Sequence, residues 1–212
     1  MTTQAYMAAK SSILDMDQAI MTYELSVNER LRASHVKRWH IVNTIRTQNV
    51  AEHSFNVAII ADELQHRLIE AFGTDILPPV YHRDRMLWER DVLMIALTHD
   101  LDEVFTGDIP ASVKPRKEWQ PVNIRTDLTA SLVVKIADIV EMYDFITEHY
   151  VGRHGKKVQA WCACEFERMI TAFGMEVEAR QIIQGLAAEI MSVSARITPD
   201  EHTRSQVLAD RA

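Results

Sequence analysis

Apolar residues at spacings of three and four positions are the feature that most constrains the fold of this chain. In the stretch from residue 57 to residue 72 they are Val57, Ile60, Ala61, Leu64, Leu68, Ala71 and Phe72. This spacing is typical of an α-helix that buries one face. Asn49 is expected to cap the N-terminus of this helix, with Glu52 at the capping-box position, and Gly73 is expected to end it.

The same periodicity predicts four further helical regions, at about 12–38, 85–101, 126–150 and 156–197. The region 85–101 is apolar nearly all round near its end, as expected for a central buried helix. Gly174 offers a break within the last region. Sustained alternation of apolar and polar residues, which would indicate strands, is nearly absent. The sequence therefore predicts an all-α helical bundle.

Length and charge narrow the class of protein. The 212 residues suit a single domain over 1–212, with a motif-bearing core at about 37–150 and C-terminal helices at about 156–197. A net charge of −7 argues against a nucleic-acid polymer or an anionic membrane as partner. The N-terminus lacks a signal-peptide layout, and the two cysteines favour a reducing cytoplasm, or the host cytoplasm for a phage-encoded chain.

Four polar residues occur where helices are otherwise apolar. His53 lies in the first turn of its helix, His99 and Asp100 follow an apolar run, and Asp138 lies between apolar neighbours. A buried carboxylate without a partner is costly, so these groups are expected to share one. Two imidazoles and two carboxylates suit a divalent ion such as Co²⁺, Mn²⁺, Mg²⁺, Zn²⁺ or Ni²⁺.

These residues also have simpler interpretations, and an adjacent pair such as His99-Asp100 is frequent by chance. His53 taken alone is more often a hydrogen-bonded structural histidine, and Asp138 could pair with the nearby Lys135. The combination is more informative than its members, because the order His, then His-Asp, then Asp places the ligands on three separate helices.

A divalent ion can polarise a phosphoryl oxygen and activate a bound water, so the ligand set is compatible with metal-assisted hydrolysis of a phosphoester. Further residues could take part in such a reaction. Glu103 lies three residues beyond Asp100 and could orient or deprotonate a water, although a solvated carboxylate is the alternative. Arg38 and Lys114 are candidate phosphate-binding cations. Trp39 offers a flat apolar wall for a sugar or base, with core packing as the alternative.

Three runs of sequence extend the pattern beyond the four ligands. They are "KRWHIVNTIRTQNVAEHS" at 37–54, "HDLDEVFTGDIPASVK" at 99–114 and "KIADIVE" at 135–141. With them the chain resembles the HD-domain phosphohydrolases over roughly residues 37–150. It is similar in particular to the bacterial 5′-deoxynucleotidases and to phage enzymes that convert dATP to deoxyadenosine and triphosphate.

This resemblance implies metal-dependent hydrolysis at the 5′-phosphate of a small-molecule deoxynucleotide. It implies that Arg38 and Trp39 bound the sugar pocket and leave little room for a 2′-hydroxyl, and that Asp108 accepts a hydrogen bond from the 3′-hydroxyl. The Trp39-x-Ile41 edge resembles that of the dATP-cleaving enzymes. A homo-oligomer, dimer or hexamer, is also implied.

Two forms of the activity remain open, cleavage of a dNMP and cleavage of a dNTP with release of triphosphate. Only 37 residues separate Asp100 from Asp138, which favours the compact dNTP-cleaving enzymes. A non-catalytic nucleotide sensor is disfavoured by the intact ligand set. An alarmone hydrolase is disfavoured by the Arg38-Trp39 pair and the "TGDIP" run.

Overall fold

A computed structural model describes residues 25–108, 119–174 and 176–197, with side chains through residue 191. Its helices are α1 (Val27–Leu31), α2 (Val50–Phe72), α3 (Arg85–Thr98), α4 (Glu103–Thr106), α5 (Ile124–Asp127), α6 (Ala130–His149), α7 (Gly152–Ala172) and α8 (Val177–Ile197). Short 3₁₀ turns occur at Arg32–His35, Thr74–Ile76 and Pro79–Tyr81. The prediction of an all-α fold is confirmed, whereas the single-domain boundary remains a prediction.

Helix α6 is the centre of the bundle, because it packs against α2, α3, α7 and α8. Its Ile136 and Ile146 are fully buried, as is Leu64 of α2. The expectation that the 85–101 helix would be the central one is wrong. That helix buries Trp88, Val92 and Ala96, but Met94 and Leu97 are 47% and 43% exposed. None of the helices in the described part of the chain combines the length and the apolar composition needed to cross a bilayer.

The start of α2 follows the predicted capping in part. The Asn49 side chain accepts a hydrogen bond of 2.9 Å from the backbone N–H of Glu52, as expected of an N-cap. The Glu52 carboxylate is bound by Arg46 rather than returning to the cap. Gly73 ends the helix with φ +79°, a conformation that favours glycine. Residue 53 is thereby fixed in the first turn of a long, well-anchored helix.

Helix α3 ends at Thr98, three residues earlier than predicted, and His99 is its C-cap. The Leu101 N–H donates to the Thr98 carbonyl at 3.1 Å, and the Glu103 N–H donates to the Asp100 carbonyl at 3.1 Å. His99 and Asp100 therefore lie in the tight turn that joins α3 to α4, not within a helix.

The segment before α2 also differs from the predicted helix at 12–38. Residues 12–24 lie outside the described part of the chain, and α1 covers only part of the remainder. Lys37–Arg38 forms strand β1, which pairs antiparallel with strand β2, Gln48–Asn49. Lys37 faces Asn49 and Arg38 faces Gln48, so the hairpin between the strands places residue 39 beside the start of α2. Two-residue strands are too short to show alternation, and the sequence did not predict them.

The remaining boundaries are close to those predicted. The 126–150 region is interrupted at Leu128, and α6 begins after Thr129, whose hydroxyl accepts a hydrogen bond from the Leu132 N–H at 3.1 Å. The break at Gly174 is confirmed, since α7 ends at Ala172 and Gly174 has φ +49°.

Candidate metal centre and active site

Four side chains from three helical regions converge at one point. His53 Nε2 lies 3.2 Å from His99 Nε2, 3.6 Å from Asp100 Oδ2 and 3.3 Å from Asp138 Oδ1. His99 Nε2 lies 3.5 Å from Asp100 Oδ2. The ligand atoms of His53, His99 and Asp100 all fall within 4.8 Å of one another. The fold thus brings together all four residues that the sequence nominated as metal ligands.

Hydrogen bonds to the other ring nitrogens fix the tautomers of both histidines. His99 Nδ1 lies 2.7 Å from the carbonyl oxygen of Ala96, which can only accept, so Nδ1 carries the proton. His53 Nδ1 lies 2.6 Å from Glu141 Oε2 and donates to that carboxylate. When the rings are neutral, both Nε2 lone pairs therefore point toward the same place as the carboxylates of Asp100 and Asp138.

Such a set of donors fits a divalent cation. Bonds of about 2.0–2.2 Å to zinc place neighbouring ligand atoms about 3–3.5 Å apart, close to the separations found here. Without a metal, a proton partly fills the same role. Burial alone would lower the pKa of His53, but the Glu141 carboxylate and Asp138 outweigh it and raise the pKa to about 9. The cluster therefore attracts positive charge, and a metal would compete for His53 with that proton.

Asp138 has a second partner besides the ligand cluster. Lys135 Nζ donates to its Oδ2 at 2.6 Å, while Oδ1 faces His53. Burial opposes ionisation of Asp138, but Lys135 and His53 hold the pKa of that carboxyl well below its usual range. The two interpretations of Asp138 from the sequence are thus compatible, because each of its oxygens serves one of them.

Glu103 is buried. It is the first residue of α4 and only 2% of its surface is exposed, whereas the neighbouring Asp102 is exposed. The alternative of a solvated carboxylate at a helix end is therefore wrong. The Glu103 carboxyl is buried at the start of the helix that follows the turn carrying Asp100.

Arg38 lies beside the ligand cluster. Its Nη1 is 3.9 Å from Asp100 Oδ2, and the side chain is only 11% exposed. This Nη1 is buried without a hydrogen-bond partner among the described residues. A buried donor without an acceptor is costly, and a phosphate or sugar oxygen would satisfy it.

Trp39 has an unusual backbone conformation. Its φ is +59°, the only positive φ of a non-glycine residue in the described part of the chain. Its N–H donates to Asp108 Oδ2 at 3.2 Å, its indole N–H donates to Gln48 Oε1 at 3.0 Å, and its ring stacks on Phe145 at 5.8 Å between centroids. Conformations of this kind persist where the surroundings enforce them, often at functional sites.

Of the other residues nominated for substrate binding, two lie at or beside the hairpin between β1 and β2, and one lies outside the described residues. Asp108 also lies 3.3 Å from His40 Nδ1, so part of its hydrogen-bonding capacity is used within the protein. Ile41 is 52% exposed at the rim of the hairpin. Lys114 lies outside the described residues.

Three polar residues that the sequence analysis did not assign to the site contact its members. Glu141 binds His53, Gln48 binds Trp39, and Lys135 binds Asp138. A signal existed for Glu141, since it follows Asp138 by three positions and so shares its helix face. A partner for the second nitrogen of a metal-binding histidine is also a general expectation.

Several known proteins are similar to this chain in sequence. A family model described as 5′-deoxynucleotidase YfbR-like matches residues 27–122. A dATP triphosphohydrolase of Cyanophage S-2L is 34% identical over 169 residues, which cover 72% of this chain and 87% of that protein. A dATP triphosphohydrolase of Acinetobacter phage SH-Ab 15497 is 32% identical over 144 residues, covering 59% and 68%. The 5′-deoxynucleotidase YfbR of Escherichia coli O1:K1 / APEC is 34% identical over 83 residues, or 39% of this chain and 36% of that protein.

A solved structure agrees at the level of the fold. The HD phosphohydrolase DatZ of Cyanophage S-2L, in a structure bound to dA and one catalytic Zn²⁺ ion, superposes with a TM-score of 0.60. It is 24% identical, and the match covers 79% of this chain and 97% of that one.

The fold and the cluster of His53, His99, Asp100 and Asp138 define a helical phosphohydrolase of the HD type. The chain belongs to the HD-domain phosphohydrolases that include the phage dATP triphosphohydrolases, and the YfbR-like family model matches its residues 27–122. The resemblance inferred from the sequence motifs and the assignment as an enzyme are confirmed.

Proposed function

We propose that this protein is a metal-dependent deoxynucleoside triphosphohydrolase that acts on dATP and releases triphosphate. The observation that carries the proposal is the convergence of the lone pairs of His53 and His99 with the carboxylates of Asp100 and Asp138. A divalent ion held there would polarise a phosphoryl oxygen and lower the pKa of a bound water. The imidazole pair favours a transition metal such as Zn²⁺, Co²⁺ or Mn²⁺ over Mg²⁺.

The surrounding residues are assigned roles by their position and chemistry. Glu103 orients or deprotonates the attacking water, which suits its burial on the turn after Asp100. Arg38 binds a phosphate or sugar oxygen through its buried Nη1. Trp39 forms the wall of the deoxyribose pocket and excludes a 2′-hydroxyl, and Asp108, which holds the Trp39 backbone, accepts from the 3′-hydroxyl.

Binding of the leaving triphosphate requires further positive charge. Lys135 offers an amine beside Asp138, and its side chain is 58% exposed. The Asp138 carboxylate raises the pKa of Lys135, so the amine is charged at neutral pH. Lys114 is proposed as a second cation from the segment outside the described residues. Ile41, exposed at the hairpin, is proposed to border the base.

Two observations favour dNTP over dNMP as substrate. The match to the cyanophage dATP triphosphohydrolase covers 87% of that protein, while the match to the E. coli 5′-deoxynucleotidase covers 36% of it. The connection between Asp100 and Asp138 is also short, as the sequence shows. Both activities break the bond between the 5′-oxygen and the first phosphorus, so dNMP hydrolysis is the second candidate.

Product analysis distinguishes the two activities. Purified protein would be incubated with dATP, dAMP or ATP, each with Zn²⁺, Co²⁺, Mn²⁺ or Mg²⁺, and followed by ³¹P NMR. We expect tripolyphosphate from dATP, little product from ATP, and the highest rates with a transition metal. Orthophosphate from dAMP as the main product would establish the dNMP form instead.

Asp100→Ala provides the test of the metal site in the same assay, with Asp102→Asn as the control on the same turn. Asp100→Ala is expected to abolish turnover with an unchanged helical circular-dichroism spectrum. Full activity of Asp100→Ala after chelation and re-addition of metal would rule out the metal site.

A further inference from the structure

A buried carboxylate that the proposed reaction does not use lies next to the ligand cluster. Glu141 on α6 is 3% exposed and accepts hydrogen bonds from three side chains. The donors are His53 Nδ1 at 2.6 Å, Gln48 Nε2 at 2.6 Å and Asn56 Nδ2 at 3.2 Å. A buried charge is retained only where such partners compensate for its loss of water.

Gln48 extends this set of hydrogen bonds to the proposed sugar pocket. It is 1% exposed, its Nε2 donates to Glu141, and its Oε1 accepts from the indole N–H of Trp39 at 3.0 Å. The orientation of the amide is fixed from both ends, because a carboxylate only accepts and an indole N–H only donates. Trp39, Gln48, Glu141 and His53 therefore form one continuous chain, in which Trp39 donates to Gln48 and both Gln48 and His53 donate to Glu141.

The same helix supports both ends of this chain. Glu141 holds the ring of His53, and Phe145, one turn further along α6, stacks against the ring of Trp39. Trp39 has a left-handed backbone, a strained conformation for a non-glycine residue that must be maintained by its contacts. A rotation of the His53 ring would disturb the Glu141 carboxylate. Because Gln48 binds that carboxylate, the rotation would also disturb the hydrogen bond between Gln48 and the Trp39 indole.

We infer that Glu141 and Gln48 are positioning residues that couple the deoxyribose pocket at Trp39 to the metal ligand His53. This inference rests on the proposed function, because it takes His53 as a ligand and Trp39 as a pocket wall. Glu141 keeps the proton on Nδ1 of His53, so that Nε2 presents its lone pair to the ion. An ion at Nε2 stabilises this arrangement of the chain, and a sugar against Trp39 does the same from the other end. Linkage then requires that each ligand raise the affinity for the other by the same factor.

The coupling can be measured without catalysis. Titration calorimetry would give the affinity for Co²⁺ alone and in the presence of 2′,5′-dideoxyadenosine, which has no 5′-oxygen to bind the ion directly. For the wild type we expect the nucleoside to raise the Co²⁺ affinity by about 5- to 150-fold, the usual range of such couplings. The visible absorption of bound Co²⁺ reports independently on the ligand geometry.

The variants separate the two positioning residues. Glu141→Gln is expected to lower Co²⁺ affinity by about 10–100-fold, the usual effect of losing a partner of a metal-binding histidine, and to change the Co²⁺ spectrum. Gln48→Leu is expected to bring the coupling factor close to one, since Trp39 and His53 remain but are no longer connected. Gln65→Leu is the matched control, because Gln65 is equally buried at 1%, lies on the helix that carries His53, and bonds to Asp62 instead.

The outcomes distinguish this inference from the proposed function. Wild-type coupling in Gln48→Leu would overturn the inference while the metal site and the hydrolysis stand. Loss of coupling in Gln65→Leu as well would overturn it too, since any repacked buried glutamine would then suffice. A wild type that binds no Co²⁺ would overturn the proposed function and the inference with it. Should Gln48→Leu fail to fold by circular dichroism, Trp39→Phe, which keeps a ring and loses the N–H, carries the same prediction.

Discussion

At the scale of single residues, acids that lie close together in the sequence have different environments. Glu103 is 2% exposed, Asp102 is exposed, and Asp108 holds the backbone of Trp39. All three look alike in the sequence, and burial is what separates the candidate base from the solvated acid. Different environments imply different kinetic roles, which substitutions can separate.

Glu103→Gln removes the proposed base while it preserves the shape of the side chain. We expect kcat for dATP to fall by about 10²–10⁴-fold, the usual contribution of a general base, with little change in KM. Steady-state kinetics of Glu103→Gln and of the control Asp102→Asn measures this fall in kcat. Asp102→Asn should remain close to wild type. A silent Glu103→Gln beside a crippled Asp102→Asn would reverse the assignment.

Trp39→Ala tests the sugar pocket. Gln48 and Phe145 hold the ring in place. Because we propose that the ring excludes a 2′-hydroxyl, its removal should open space for that hydroxyl. We expect the ratio of kcat/KM for dATP to that for ATP to fall by at least about tenfold, since a wall that blocks a hydroxyl discriminates strongly. Phe55→Ala, at an aromatic residue of α2 that is 59% exposed, should leave the ratio unchanged. The assignment fails if the wild type already treats the two nucleotides alike.

At the scale of elements, the ends of helices position the site more than their interiors do. His53 lies in the first turn of α2, and His99 and Asp100 follow the last turn of α3. Asp108 comes directly after Gly107, which ends the short α4 with φ +73° and ψ 165°. Gly107 therefore determines where Asp108 meets the hairpin that carries Trp39.

Gly107→Ala and Gly73→Ala form a matched pair that tests this role. Both glycines end a helix with nearly the same backbone angles, and a Cβ at either position would meet nothing within 4 Å. An alanine in this conformation should cost about 1–3 kcal/mol of unfolding free energy at each position, which denaturant unfolding measures. Only Gly107→Ala should also raise KM and weaken the preference for deoxyribose, because only it moves Asp108. Equal KM values in the two variants would contradict this role.

The sequence predicted the long helices and nominated the four residues that the fold brings together, for physical reasons that also explain its failures. Helical periodicity extends over many residues, and His53 or Asp138 interrupts it visibly. The strands Lys37–Arg38 and Gln48–Asn49 are too short for any period to appear. Glu141 was overlooked because a glutamate on a helix is usually solvated, and only the tertiary fold shows that three donors surround it. Exposure of Met94 and Leu97 likewise depends on which helix occupies the centre.

At the scale of the whole molecule, a metal at this site would connect separate parts of the bundle. Its ligands come from α2, from the turn after α3 and from α6, so binding would stabilise the folded state as a unit. At a free metal concentration about one hundred times the dissociation constant, the free energy of unfolding rises by about 2.7 kcal/mol. For a chain of this length this corresponds to a rise in melting temperature of about 5–10 °C.

This gain should depend on pH because His53 binds a proton in the metal-free protein. The groups around it are Glu141 and Asp138, which favour its charge, and Arg38, which opposes it, with His99 and Asp100 at the same point. The pKa of His53 is raised to about 9 in the fold, above its ordinary value of 6.5. Protonation therefore stabilises the metal-free fold fully below pH 6.5, and this contribution is lost as the pH rises through 9.

A metal displaces that proton, so its apparent affinity should rise with pH across the same interval. We expect the difference in melting temperature between metal-loaded and metal-free protein, at fixed Mn²⁺, to increase from pH 6.0 to pH 8.5. Differential scanning calorimetry at several pH values measures both states. His66→Gln, at an exposed histidine that contacts Asp62 and Glu89, should show the same increase, because His66 lies outside the ligand cluster. A difference in melting temperature that stays constant between pH 6.0 and 8.5 would show that no proton on His53 competes with the metal.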